Sequence, residues 1–224
     1  ERRHTYLVDY QDEAYAKQYR EFVTRVRTAE AALGTTTALT EAVARYLFKL
    51  MAYKDEYEVA RLHSQTDFVK RIAEQFEGDY KLTYHLAPPL FASRDPETGE
   101  LRKSTYGPWM LSAFGLLAKL KGLRGGTFDI FGYTAERKME RRLISEYRST
   151  IEGLLGSLNG DNLPVAVDIA SLPEHIRGFG HVKEAAVKDA ETRKAKLLAQ
   201  FQDPRAWPGT ARARLAGIPV KVAA

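Results

Sequence analysis

Apolar residues recur at steps of three and four along most of this chain, and that period puts them on one side of a helix. In residues 9–33, Tyr15, Tyr19, Phe22, Val23, Val26 and Ala29 share a face, and Gly34 supplies a stop. A run through Leu39, Val43, Tyr46, Leu47, Leu50 and Tyr53 to Tyr57 predicts one long second helix, with Thr40 as a candidate cap. A shorter helix is expected from Thr66 or Asp67, burying Phe68, Ile72 and Phe76 and ending at Gly78. The period resumes at Pro108, with Trp109, Phe114, Leu117 and Leu120 on the buried side, and breaks at the glycines of residues 122–126. Thr134 can cap a long run to Leu158 whose apolar positions are Met139, Leu143, Ile144, Tyr147, Ile151, Leu154 and Leu155. Residues 162–171 read as a short helix with Pro164 in its first turn, where proline is tolerated. A last, strongly charged helix is expected over about residues 182–201, with Val187, Ala190, Leu197, Leu198 and Phe201 as a thin apolar stripe.

The period changes in the middle. Residues 80–86 alternate Tyr and Leu with Lys, Thr and His, the pattern of a half-buried strand, and Pro88-Pro89 ends it because neither residue can donate to a ladder. Residues 90–94 and 101–106 flank Asp95-Pro96-Glu97-Thr98-Gly99-Glu100, a turn with proline and glycine where a hairpin loop takes them. The fold class expected is therefore mainly α, a multi-helix domain with a small antiparallel β hairpin or meander near residues 80–106. At 224 residues, one domain over 1–202 with an irregular basic tail at 203–224 is the simplest organisation.

Composition narrows the chemistry. Hydrophobic residues make up 44% and charged residues 28%, which is too apolar for a disordered chain. There is no cysteine, so thiolate-held iron–sulfur clusters, Cys-type zinc sites, disulfides and thiol nucleophiles are excluded for this segment. Nothing reaches the roughly 18 consecutive apolar residues of a membrane span, and residues 1–12 lack the apolar core of a signal peptide. No membrane partner and a cytoplasmic setting are the expectations. Of the net +5, Arg205, Arg212, Arg214 and Lys221 against Asp203 place +3 in the tail and leave +2 for the body. In the body, bases and acids interleave, as in Glu136-Arg137-Lys138-Met139-Glu140-Arg141-Arg142, which suggests a solvated face with i,i+4 pairs and not a phosphate-tracking groove. No nucleic-acid partner is expected.

Few motifs remain. Gly78-Asp79-Tyr80 and Gly160-Asp161-Asn162 are the nearest approaches to a thiamine diphosphate motif, and neither is followed by the asparagine that holds the metal. The glycines of residues 122–126 and the Arg177-Gly178-Phe179-Gly180 hinge do not follow predicted strands, so a phosphate cradle fails on context; a helix stop is the simpler account of the first. At the second, Arg177, His181 and Lys183 bring positive charge to a helix start and are candidate anion or ligand contacts. The five histidines show no two-ligand helical spacing, so no metal site is expected; His85 is a candidate acid or base, weighed against a hydrogen-bonded structural role. The densest polar cluster is Tyr53-Lys54-Asp55-Glu56-Tyr57-Glu58-Val59-Ala60-Arg61. An amphipathic helix with surface ion pairs is its simpler reading. The functional reading has Tyr53, Lys54, Glu56, Tyr57 and Arg61 at a cleft against another domain, since Tyr and Arg are enriched at such contacts.

The stretch around that cluster, residues 39–62, resembles the C-terminal region of large, fused bacterial indolepyruvate ferredoxin oxidoreductases of the 2-oxoacid:ferredoxin oxidoreductase superfamily. Residues 74–82 with His85-Leu86-Ala87-Pro88-Pro89-Leu90, then Phe131-Gly132-Tyr133-Thr134-Ala135-Glu136-Arg137, then Ile176-Arg177-Gly178-Phe179-Gly180-His181-Val182-Lys183-Glu184 are similar in the same order. The resemblance spans about residues 10–201. It implies a parent enzyme that oxidatively decarboxylates indole-3-pyruvate or other aryl pyruvates, with coenzyme A accepting the acyl group and ferredoxin the electrons. It assigns thiamine diphosphate with Mg and the iron–sulfur cluster to upstream domains, so this segment is expected to hold no cofactor and no catalytic residue. Its partners would be the other domains of the same chain and a homodimer mate. The expected role is an accessory, structural C-terminal domain; the alternative is a ligand-binding regulatory module for coenzyme A or an acidic effector, built on Arg177, His181, Lys183 and the basic tail.

Overall fold

The computed structural model describes residues 1–34, 36–87 and 102–203. It is mainly α with one small antiparallel sheet, as the period of the sequence requires. The helices are α1 (Arg2–Tyr10), α2 (Glu13–Ala31), α3 (Ala38–Met51), α4 (Glu56–Ser64), α5 (Phe68–Ala73), α6 (Met110–Lys119), α7 (Ala135–Leu155), α8 (Leu163–Ser171) and α9 (Gly180–Gln202). Strands β1 (Tyr84–Leu86) and β2 (Ser104–Tyr106) pair antiparallel, with Tyr84 opposite Tyr106 and His85 opposite Thr105. The turn expected at residues 95–100 and the tail from 204 lie outside the described residues. By contacts the described residues divide into two units, those of 1–16 with 52–141 and those of 17–51 with 142–203.

In the first unit, α4 and α6 pack together, and Ala60, Met110, Phe114 and Ala118 form an apolar cluster closed by Tyr84 of β1. The buried side of α6 differs from expectation. Met110, Phe114 and Ala118 follow one row of four-residue steps inward, which turns Trp109 and Leu120 outward. Phe76 is likewise exposed, because α5 ends at Ala73, before Gly78 is reached. The unit also holds α1, which sequence periodicity missed: the turn at Gln11 separates it from α2, and the Asp12 carboxylate accepts from the Tyr15 N–H at 2.7 Å.

The predicted helix through Tyr57 is two helices. Asp55 interrupts it by acting as the N-cap of α4, its side chain accepting from the Glu58 N–H at 2.8 Å. An apolar stripe continues across the break, which is why the period alone reads as one helix.

In the second unit, α3 buries Leu39, Val43, Tyr46, Leu47 and Leu50 and packs on α8, which packs in turn on α9. Thr40 is not the cap of α3. The Glu30 carboxylate of α2, itself buried, accepts from the N–H groups of Leu39 and Thr40 at 2.9 and 2.8 Å and from the Thr40 hydroxyl at 2.6 Å. A carboxylate at a helix N-terminus satisfies orphan donors and opposes the helix dipole. Three termini follow the sequence: Thr134 accepts from the Arg137 N–H at 3.3 Å at the start of α7, Pro164 sits in the first turn of α8, and Gly178 takes φ +92° before α9.

Candidate functional site

Because Asp55 caps α4, the residues after it radiate from one helical turn inside the first unit. The Asp55 carboxylate receives Arg124 in a fork, from Nε at 2.5 Å and from Nη2 at 2.9 Å. Arg124 also donates from Nη1 to the Tyr10 carbonyl at 2.6 Å and lies 3.7 Å over the Tyr10 ring, a cation–π contact. Tyr10 Oη donates to the Tyr53 carbonyl at 2.9 Å. Beside this, Glu58 is fully buried and accepts from Arg61 through two nitrogens at 2.8 and 2.9 Å and from Tyr6 Oη at 2.5 Å. Glu56 takes Arg137 at 3.3 Å. Three arginine–carboxylate pairs thus form one buried polar layer, with each charge matched.

The environment shows in the phenols. Tyr53 is pushed up to about 12 by burial, then by the charge of Asp55; Tyr6 is pushed up to about 12 by burial, then by its hydrogen bond to Glu58. Tyr10 and Tyr57 are raised further, chiefly by burial.

Residues 124–133 are tied down by the same layer. Asp129 is buried and accepts from Gly125 N–H at 2.7 Å, Gly132 N–H at 3.0 Å and Tyr57 Oη at 3.2 Å. Arg141 Nη2 donates to the Gly132 carbonyl at 2.5 Å, and Tyr133 Oη to the Thr127 carbonyl at 2.8 Å. With its backbone held from beneath, this loop turns Phe128, Ile130 and Tyr133 outward at 78%, 60% and 60% exposure. An open pocket of about 220 Å³ lies at its base, lined by Gly125, Gly126, Thr127, Asp129, Gly132, Tyr133 and Arg141.

The chain matches, over residues 1–196, the model of DUF6537, a family of unknown function. It belongs to the DUF6537 family. No curated protein and no solved structure matches it.

Within this DUF6537 domain the sequence-derived candidates separate by burial. Tyr53, Tyr57 and Arg61 are buried and Glu56 half-buried, all engaged in the polar layer, whereas Lys54 is exposed. The ion pair Glu58–Arg61 is therefore an internal one, not the surface pair that helical spacing suggested. His85 is exposed on β1, its Nδ1 3.1 Å from Thr105 Oγ1 across the strands. In the second unit, Arg177 donates to the Glu174 carboxylate and, from Nε, to its carbonyl at 3.0 Å. His181 is exposed and Lys183 half-buried in the first turn of α9. Among the described residues, no group of three or more His, Cys, Asp or Glu is placed to hold a metal ion. With no cysteine in the chain, the donor set does not fit a thiolate-held cluster.

Four buried charged residues were not legible as such. Arg124 reads as part of a glycine-rich helix stop and Arg137 with Glu140 as a solvated face, and Asp129 carries no reading at all, yet all four are buried. The solvated-face reading of residues 136–142 is corrected for those two: Arg137 faces inward because Glu56 of α4 receives it. The one available signal was local: Asp129 and Gly132 stand three apart, an Asx-type spacing that lets the carboxylate cap its own turn.

Proposed function

We propose that this DUF6537 domain is an accessory, structural domain of an indolepyruvate ferredoxin oxidoreductase, docking on the catalytic domains of the same polypeptide. The observation that carries the docking role is the braced loop at residues 127–133. Large hydrophobic side chains with most of their surface exposed are costly to leave in water, and a patch held rigid by buried hydrogen bonds loses little entropy when it is covered. The parent reaction comes from the blocks of resemblance, of which Phe131 to Arg137 begins in this loop and ends at the Arg137–Glu56 pair. In this reading thiamine diphosphate, Mg and the iron–sulfur cluster reside upstream, coenzyme A and ferredoxin are partners of the whole enzyme, and the setting is cytoplasmic with a homodimer as the assembly. No helix among the described residues is long and apolar enough to cross a membrane, which is compatible with that setting.

The alternative, a regulatory site for coenzyme A or an acidic effector at Arg177, His181 and Lys183, has less support because two of the three Arg177 guanidinium nitrogens already donate to Glu174, whose carboxylate offsets the positive charge there.

The deciding experiment is to purify the intact polypeptide that carries this domain and assay ferredoxin or viologen reduction with aryl pyruvates and coenzyme A. Turnover that requires both substrates is expected. An intact protein that binds no thiamine diphosphate and reduces no acceptor with any aryl pyruvate would sink the reading.

A further inference from the structure

The pocket at the base of the braced loop holds one feature that packing leaves unexplained. Arg141 Nη1 is buried without a hydrogen-bond partner, although Nη2 of the same guanidinium is used on the Gly132 carbonyl. A buried cationic donor left unpaired costs more than a neutral one, so a site that retains it calls for an acceptor from outside.

Gly132 shapes the space in front of it. A Cβ on Gly132 would lie 3.2 Å from Arg141 Nη1 and 2.5 Å from Asp129 Oδ2, closer than any side chain tolerates, so glycine at 132 is what lets a cationic donor and an anionic acceptor close in together on the pocket wall. Asp129 is not exhausted. A carboxylate offers about four lone-pair sites, of which Gly125, Gly132 and Tyr57 take three, and only the Gly125 N–H is on Oδ2.

These walls discriminate by charge. A simple oxyanion at Arg141 would face the Asp129 carboxylate, and a simple cation at Asp129 would face the guanidinium. A molecule carrying both charges on adjacent atoms meets each with its opposite. We propose that this pocket binds a free α-amino acid by its zwitterionic head, the carboxylate on Arg141 Nη1 and the ammonium on Asp129 Oδ2. The glycines at 125 and 126 keep the rest of the lining low, and the pocket of about 220 Å³ leaves room for a small side chain beneath Tyr133. This inference stands apart from the docking role and does not depend on the parent reaction.

The test uses the full chain, labelled with ¹⁵N, titrated with glycine, L-alanine and L-serine, and in parallel with acetate and with methylammonium. Saturable shifts are expected for the amides of Gly125, Gly126 and Gly132 and for Arg141 Nε with the amino acids, at least tenfold weaker with either singly charged probe. Arg141→Gln should abolish the response to glycine while far-UV circular dichroism stays unchanged. If that variant loses its fold, the comparison of glycine with acetate and methylammonium on the native chain still decides. No response to any amino acid means the pocket is merely hydrated, and an equal response to acetate means a plain anion site; either result overturns the proposal.

Discussion

Asp55 joins two kinds of stabilisation in one carboxylate, because the oxygens that cap α4 also receive the Arg124 fork. Removing one partner of a buried pair strands the other, which typically costs about 3–5 kcal/mol. Arg124→Met should therefore lower the unfolding free energy by about that much in urea titration, and adding Asp55→Asn should recover part of the loss because the stranded charge is gone. A double variant less stable by the full sum of the singles would argue that the two residues do not act as a pair. The phenols give a pH dependence with a definite sign. Tyr6 and Tyr53 are pushed up to about 12 in the folded chain, mainly by burial, while an unfolded chain ionises them near 10. The folded state keeps a proton that the unfolded state releases, so this contribution to stability is complete below pH 10 and is lost as pH rises toward 12. The near-ultraviolet phenolate signal should rise in two stages, the second together with loss of helix by circular dichroism. One smooth titration with helix intact to pH 12 would contradict the burial assigned to these tyrosines.

At the scale of elements, α3 is started by a residue outside it. Glu30 satisfies the Leu39 and Thr40 N–H groups from α2, so Glu30→Ala should leave both unpaired in a dry site, at about 1–3 kcal/mol for an orphaned buried group. Hydrogen exchange localises the effect: the amides of Leu39 and Thr40 should exchange faster in the variant than in the native chain, and unchanged protection would remove Glu30 from this role. Elements also show how far the sequence could be read. The helical period placed α2, α7, α8 and α9 closely and Tyr84 on its strand, since each is specified by side chains within a few turns. It ran α3 and α4 together, because an apolar stripe can continue across a capped break. It put Trp109 inward, because choosing between neighbouring rows of α6 depends on α4 and β1, not on α6 itself.

For the whole molecule, the question is what the exposed loop meets. Replacing Phe128 and Ile130 together by serine should leave the thermal midpoint of this chain within a few degrees, since both side chains already face solvent. In the oxidoreductase proposed as the parent protein, the same double variant should lower turnover or dimer content several-fold, read by acceptor reduction and by sedimentation. Unchanged turnover and assembly would leave the loop without the docking role.

The sequence by itself determined the mainly α class, the short antiparallel pair, the placing of α7, α8 and α9, and that no thiolate ligand is available in this segment. Each of those follows from local spacing or from a residue type that is simply missing. Only tertiary structure decided which charges are interior. Arg124 finds Asp55 across 69 positions and Arg137 finds Glu56 across 81. A charge can be buried only where its partner and its hydrogen bonds are already in place, and nothing in the local sequence announces a partner that far away.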